Sequence, residues 1–497
     1  MKKDDLLAIV KLMNIPKEVK SIIGTLEKKK FEAFVVGGCV RDLLLGADPE
    51  DWDVATSAKP EEIQKVFPES FYENKFLTVT VLTESKNPKL KEIEITTYRK
   101  EAKYTDKRHP DEVRFASSLE EDLARRDFTV NAMAVRLAKP TREVRDPFAG
   151  QKDLKAKIIR SVGNPQERFT EDALRMMRAI RFAVTLGFTI EDKTGQAIKK
   201  NAHLLKAISK ERIREELMKI VMTERAAQGV ELLRQLGLLK YIVPELEEGV
   251  GCSQNKHHIY DCYEHSLKSF EYAAKNNFNK YVRLAALFHD VAKPRAKRGE
   301  GPEATFYGHE VASAKMTLQI LARLKFSKKE IEKIVKLVRY HLFYYNVGEV
   351  GESSVRRLVL KVGADNVEEL LQLRMADRIG SGVPKAEPYK LRHLKYIIEK
   401  VSRDPISVKM LKVSGKEVME VLKTQPGPRV GQILDILLEH VLSDPEKNEK
   451  GFLEKEIKRL GRLSEKELAK SAQGARAGRE KIEIKRDEMT KKKYWVT

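Results

Sequence analysis

The chain has 497 residues, 41% of them hydrophobic, too many for one core, and about three or four units of ~100–200 residues each are expected. Its 95 Lys and Arg exceed 74 Asp and Glu by +21, which favours a polyanionic partner, most simply a nucleic acid. The three cysteines, Cys39, Cys252 and Cys262, have no Cys-x-x-Cys spacing, which argues against a disulfide framework and a zinc ribbon. Acids and a Lys interrupt the apolar N-terminal residues MKKDDLLAIVKLMN, and no window is long enough to span a bilayer; a soluble cytoplasmic protein without a membrane partner is expected.

In chain order, strands are expected over 34–36, 52–55, 77–82, 92–98 and 132–137, bounded by Gly, Pro, Asn or charged turns. From about residue 150 the apolar period becomes helical, as in EDALRMMRAIRFAVTLGF and ERIREELMKIVM. A small α/β head followed by a long helical body, an α+β fold, follows from that change. Linkers are expected near 249–256 and 380–388, and the charged final thirty or so residues are expected to be a flexible or nucleic-acid-touching tail.

The head carries the first chemistry. Asp51 and Asp53 are separated by one residue on an extended segment, where side chains alternate, so both face one way and can share a divalent cation. Gly37 and Gly38 let the backbone approach a triphosphate, with the Arg41-Asp42 pair just after them. In KEIEITT, Glu92 and Glu94 share a face, and Glu94 is preferred as a third carboxylate. Arg125 and Arg126 supply positive charge for phosphates, and Asn131 a hydrogen bond to phosphate or sugar.

The strings GGCVRDLLLG, DWDVAT and RRDFTVNAM, followed in order by DPFAGQKDL, ERFTEDALRMMRAIRFA and ERIREELMKI, resemble the class II CCA-adding enzymes and bacterial poly(A) polymerases of the nucleotidyltransferase superfamily. The resemblance spans roughly the first half of the chain and implies a DNA polymerase beta-like head with a helical neck and body. It implies template-independent addition of nucleotides to the 3′ end of tRNA from CTP and ATP with Mg²⁺. Asp51 and Asp53 match the metal-binding catalytic pair, and Arg125, Arg126, Asp127 and Asn131 match the second motif.

Asp172 and Arg175 are three residues apart, and on a helix they present an acceptor beside a donor. Cytosine and adenine complement that pair, whereas uracil and guanine would leave groups unpaired at a cost of about 1–3 kcal/mol each. A surface ion pair has the same spacing; the family's Glu-Asp-x-x-Arg motif, which reads the incoming base, favours the first reading. Arg178 and Arg181 extend the face toward phosphate, while Met176, Met177, Ile180 and Phe182 read as core. Two departures stand out: Leu77 occupies a position where CCA-adding relatives usually have Gly, and the Arg-rich string associated with poly(A) polymerases is absent. The charged stretch 100–122 corresponds to a family loop that helps the change from C to A.

The second half holds His265, His289-Asp290 in LAALFHDVAKP, His309 in YGHEVASA, His341 and Asp377. Imidazoles and carboxylates converging from several helices suit a transition metal or magnesium, with a water as nucleophile. These strings are similar to the HD phosphohydrolases: His265, His289, Asp290 and Asp377 match the core metal set, with Asp365 a competitor for Asp377, and His309 and His341 resemble the extra ligands of two-metal members. Lys293 is either a phosphate contact or a solvated lysine. The resemblance implies a second divalent site (Mg, Mn, Ni or Co) acting on 2′,3′-cyclic phosphates or 2′-phosphates. The implied organisation is a catalytic head over 20–148, a neck and body over 149–248, an HD domain over 257–380, a helical region over 385–463 and the tail over 464–497. The competing functions are a poly(A) polymerase, an A-adding specialist and a tRNA-binding factor without catalysis; the oligomeric state is open.

Overall fold

The computed structural model describes residues 14–73, 78–102, 112–137, 143–255, 259–402 and 408–496. Leu77 and the middle of the 100–122 stretch lie outside the described residues. The chain divides into two compact units, one of Met1–Leu342 with Glu369–Pro384, the other of Phe343–Glu368 with Lys385–Thr497.

The first unit opens with the helix Lys17–Lys28, whose Val19, Ile22, Ile23 and Leu26 fall on one face and are buried. The strands follow as β1 (Ala33–Val36), β2 (Asp53–Thr56), β3 (Ser70–Glu73), β4 (Thr78–Leu82), β5 (Glu92–Thr97), β6 (Arg99–Ala102), β7 (Glu112–Phe115), β8 (Ala134–Arg136) and β9 (Glu143–Arg145). Seven of them form one sheet in the order β3-β4-β5-β2-β1-β8-β9, and β6 pairs with β7 separately. Val35, Val54, Ile93 and Ile95 point into the core shared with the first helix. Phe34, Val36 and Ala55 pack on the opposite face with Tyr98, Leu119 and Leu123. Both faces of the central strands are therefore covered, which is why β1 reads as an unbroken apolar run. Each fully buried Val, Leu or Ile stabilises the fold by about 1.5–3 kcal/mol.

β2 and β5 run parallel, with Asp53 the register partner of Glu94. The pairing carries the sequence pattern into the site: Val54 and Ile95 enter the core, so Asp53 and Glu94 face away from it. The short strands β3, β6, β7 and β9 were not expected. Sequences such as RKEA and EVR have almost no apolar alternation, and it is pairing with neighbours that makes them strands.

Among the described residues beyond Gly150, the regular elements of the first unit are helical apart from the parallel strand pair Ile158–Ile159 and Thr189–Ile190. Arg283 is only 1% exposed. It donates to the carbonyls of Phe278, Val221, Thr223 and Ala274 and to Asn277 Oδ1, at 2.7 to 3.3 Å. One guanidinium thus satisfies the C-terminal carbonyls of the helices Lys210–Val221 and Cys262–Lys275 and ties the neck to the helices that follow.

Two expectations about the second half are corrected. Residues 343–368 do not join the expected 257–380 domain: the helix Glu352–Val362 packs against Tyr389–Ser402 in the second unit, where Lys400 pairs with Glu352 at 2.9 Å. The segment expected to be a flexible tail is the helix Glu465–Tyr494. A Ser464–Glu467 capping box starts it, Leu468, Ala472 and Ala475 enter the core formed with Ile433, Leu437 and Ile457, and Arg476 pairs with Asp435 at 2.6 Å. Small apolar residues in a charged sequence were sufficient to dock it. Among the described residues no helix is long and apolar enough to cross a membrane.

Candidate functional site

A cavity of about 870 Å³ lies between the head and the first helices of the neck, lined by Gly38, Arg41, Asp51, Asp53, Glu94, Arg125, Arg126, Asp127, Asn131, Asp172, Arg175 and Arg178 among others. Gly37 sits at its edge with φ +85° and ψ −142°, a backbone region that only glycine occupies readily. A Cβ there would lie 2.7 Å from Arg126 Nη1 and 3.1 Å from Asp53 Oδ2. The glycine is therefore required both by its backbone and by the side chains that converge on it.

Asp53 opens β2 beside Glu94, and Asp51 precedes it on an exposed bend. Burial pushes the Asp53 carboxyl up to about 6; Arg126 opposes this, while Asp51 and Glu94 reinforce it. A half-buried carboxylate flanked by two others is a donor set suited to a hard divalent cation, whose charge would reverse the penalty on Asp53.

The basic residues are organised by buried carboxylates. Asp122 pairs with Arg125 at 2.9 Å and Arg126 at 3.5 Å. Burial alone would raise its pKa, but the two arginines outweigh it and hold the carboxyl below the ordinary range. Asp127 likewise overcomes its burial by pairing with Arg178 and accepting from Asn131, and is held at about 2. Arg41 Nη1 donates to Asn131 Oδ1 at 2.7 Å. The guanidiniums of Arg41, Arg178 and Arg181 lie 5.3, 5.4 and 4.0 Å from the ring centre of Phe182, which is thus both core and a wall of the cavity.

Asp172 and Arg175 both line the cavity, but they do not share a helix as expected. The helix Pro165–Glu171 ends at Asp172, which is extended, and a new helix runs over Leu174–Leu186. Asp172 Oδ1 accepts from the Leu174 N–H at 3.0 Å, a capping geometry that competes with continuing the helix. Its Oδ2 takes Arg212 at 2.9 Å, whereas Arg175 donates to Glu171 at 2.9 Å and to the Arg125 carbonyl at 3.2 Å. Asp122, Glu171 and Arg212 were not foreseen. The i,i+4 spacing of Glu171 and Arg175 was a visible signal for one of them, but the partners of Asp172 and of the paired arginines come from other elements.

A second cluster lies in the helices of the first unit's latter half. His265, His289, Asp290 and Asp377 bring ligand atoms within 4.8 Å of one another, as do Asp290, His309 and His341, and Asp290 belongs to both groups. His265 Nε2 is 2.9 Å from His289 Nε2 and 3.0 Å from Asp290 Oδ2; His309 Nε2 is 3.3 Å from Asp290 Oδ1. The Nδ1 atoms of His289, His309 and His341 each reach a carbonyl three residues back, those of Ala286, Phe306 and Val338, at 2.7 to 2.9 Å. Donation there fixes the tautomer and turns each Nε2 lone pair toward the cluster. Asp290 Oδ1 is buried without a hydrogen-bond partner, as fits an oxygen placed for a cation. Asp365 is exposed and belongs to the second unit, so it is Asp377 that joins the cluster. Lys293 is buried and pairs with Asp290 at 2.7 Å while donating to Gln254 at 2.7 Å.

The family described as "Poly A polymerase head domain" matches residues 33–160, "Probable RNA and SrmB- binding site of polymerase A" matches 187–249, and "tRNA nucleotidyltransferase domain 2 putative" matches 309–457. The chain is 33% identical over 455 residues to a CCA-adding enzyme of Lactococcus lactis, covering 91% of this chain and 100% of that one. The chain belongs to the CCA-adding enzyme family. Within this family of nucleotidyltransferases it is also 36% identical over 336 residues to an A-adding tRNA nucleotidyltransferase of Deinococcus radiodurans, covering 65% of this chain and 75% of that one. Its fold is similar to the crystal structure of the Bacillus stearothermophilus CCA-adding enzyme in complex with CTP, at 28% identity, TM-score 0.53, and coverage of 90% and 98% of the two chains. Membership in this family implies a divalent metal in nucleotidyl transfer.

Proposed function

We propose that the protein adds C, C and A to the 3′ end of tRNA from CTP and ATP without a nucleic-acid template. The observation that carries this is one cavity holding Asp51, Asp53 and Glu94 opposite an arginine fan, with Asp172 and Arg175 on its neck side. Mg²⁺ held by Asp51 and Asp53, with Glu94 as the third carboxylate, would acidify the RNA 3′-hydroxyl and neutralise the departing pyrophosphate. Arg41, Arg126 and Arg178 bind the triphosphate, each held in place by a carboxylate or amide, so that little reorganisation accompanies binding. Asp172 uses lone pairs on Leu174 and Arg212 yet keeps acceptor capacity for an exocyclic amino group. Arg175, anchored through Glu171, donates to the adjacent ring nitrogen. Cytosine and adenine satisfy both groups, and uracil and guanine satisfy neither.

The Lactococcus and Bacillus relatives named for CCA addition support this reading, and the Deinococcus A-adding relative supports the narrower one of A addition alone. A tRNA ending before CCA, after one C, or after CC is supplied with CTP alone, with ATP alone and with both together, and the products are sequenced. Extension of the shortest tRNA by two C residues and one A carries the proposal; addition only to the CC end selects the A-adding reading, and long A tracts on arbitrary RNA select a poly(A) polymerase. A binding factor without catalysis gains nothing from carboxylates clustered toward a polyanion.

The second cluster is read as an HD-type phosphohydrolase site. Its seven ligand contributions, counting Asp290 in both groups, fit two divalent ions that would act as Lewis acids on a phosphate ester. Lys293, buried beside Asp290, provides positive charge for that ester. Turnover of 2′,3′-cyclic phosphates or 2′-phosphates by the full chain with Mg²⁺, Mn²⁺, Ni²⁺ or Co²⁺ supports it, and none with any of the four overturns it.

A further inference from the structure

The second cluster opens into a cavity of about 690 Å³ whose lining joins Lys293, Arg374 and Arg378 to the histidines and carboxylates. Three cations in the lining of such a cavity are chemistry for a phosphate. The rim differs: Tyr307 is 83% exposed and Leu342 is 53% exposed, and both line the same cavity. Each lies next to a histidine of the second metal group. Tyr307 precedes His309 by two residues, and Leu342 follows His341 directly. Gly308, with φ +72° at the start of the helix His309–Arg323, makes the reversal that sends His309 inward and leaves Tyr307 in solvent. Large side chains left this exposed in the lining of a polar, cationic cavity offer a ligand surface rather than core packing.

We propose that Tyr307, with Leu342 in the lining of the same cavity, is a specificity-determining residue that stacks on the nucleobase of a substrate whose phosphate lies over the histidine and aspartate cluster. The substrate class is then a nucleoside or RNA 3′-terminal phosphate ester rather than a simple phosphate ester. This rests on the phosphohydrolase reading of the cluster. In the reaction on a 2′,3′-cyclic phosphate, the oxygen of water bonds to phosphorus and one ring P–O bond breaks. The proton of the water ends on the released ribose oxygen, leaving a monoester beside a free hydroxyl. Base stacking on an aromatic side chain is tolerant of base identity, so the site would accept any terminal nucleotide.

The test compares the full wild-type chain with Tyr307→Ala and Tyr307→Phe, loaded with Mn²⁺, on adenosine 2′,3′-cyclic phosphate and on the base-free glycerol 1,2-cyclic phosphate. For Tyr307→Ala, KM for the nucleotide rises about 5- to 100-fold with kcat little changed, while the base-free ester is unaffected; Tyr307→Phe restores the wild-type value. Calorimetric binding of adenosine 2′-monophosphate weakens by the same factor in Tyr307→Ala, and binding of inorganic phosphate does not. Equal ratios for nucleotide and base-free ester in wild type and Tyr307→Ala overturn the inference and leave the phosphohydrolase reading standing. No turnover of either ester by the wild type with Mn²⁺, nor with Mg²⁺, Ni²⁺ or Co²⁺ in its place, overturns the phosphohydrolase reading, and the role of Tyr307 with it. Because the side chain is exposed, its removal leaves the fold intact.

Discussion

Replacing Asp53 by Asn should make the metal-free protein more stable at neutral pH. Burial first, and then Asp51 and Glu94, raise the Asp53 carboxyl from 3.8 to about 6 against the pull of Arg126. A raised acid pKa means that the folded state holds the proton more tightly than the unfolded chain. Stability therefore falls as pH rises from about 4 to about 6 and stays at the lower level above that. The gap corresponds to about 3 kcal/mol, and solvent screening of this partly exposed group reduces it to about 2 kcal/mol. The amide of the Asp53→Asn variant carries no charge, so the variant should match the wild type near pH 4 and exceed it by about 2 kcal/mol at about pH 7. Urea titration in a chelator at several pH values, followed by tryptophan fluorescence, measures this directly. Trp52 is buried beside the site and Trp495 is exposed, so the change reports on the head. Saturating Mg²⁺ at ~100 times its Kd should stabilise the wild type by about 2.7 kcal/mol and the variant far less, reversing the order. A difference that does not vary with pH, or a variant less stable at neutral pH without metal, would refute the reasoning.

Gly37→Ala combines a glycine-only backbone with a Cβ 2.7 Å from Arg126 Nη1, so a stability loss of about 1–3 kcal/mol and a fall of about 100-fold in kcat/KM are expected in denaturation and single-nucleotide extension assays. Arg283→Leu strands carbonyls from two helices and should cost at least about 3 kcal/mol by denaturant titration, although Arg283 touches neither cavity. His309→Ala should lower the Mn²⁺ bound per chain by one ion by elemental analysis and leave CTP and ATP incorporation unchanged, since it alters only the group shared by Asp290 and His341. Arg175→Ala should relax discrimination of CTP and ATP from UTP and GTP more than it weakens tRNA binding, and unaltered base choice would contradict the template role of the neck.

Much of this protein is written locally. The strand period of two holds for Asp53, which faces away from the core while Val54 enters it, but Asp51 lies on a bend before that strand and reaches the cavity without it; the helical body was legible because its apolar period is 3.6. The histidines and Asp290 stood out because such residues are unusual in otherwise apolar helical sequence. Where the local pattern misleads, a nonlocal contact or a competing local bond decides the outcome. The 172–175 segment has helical spacing, yet the Asp172 carboxylate bonds the Leu174 N–H and breaks the helix there. The final charged segment looks unable to offset the entropy of its own ordering, and becomes a helix because the core around Ile433 and Leu437 accepts its few small apolar residues.

The sequence by itself determined which chemical groups the protein carries and on which kind of element each sits, because backbone periodicity and turn chemistry act over a few residues. Only the tertiary structure decided which groups meet. Asp122 aligns Arg125 and Arg126, Arg212 crosses from another helix to Asp172, and Asp377 rather than Asp365 completes the cluster around Asp290. Those choices depend on helices and strands distant in sequence being packed together, since a buried charge is tolerated only where its partner arrives from elsewhere in the fold.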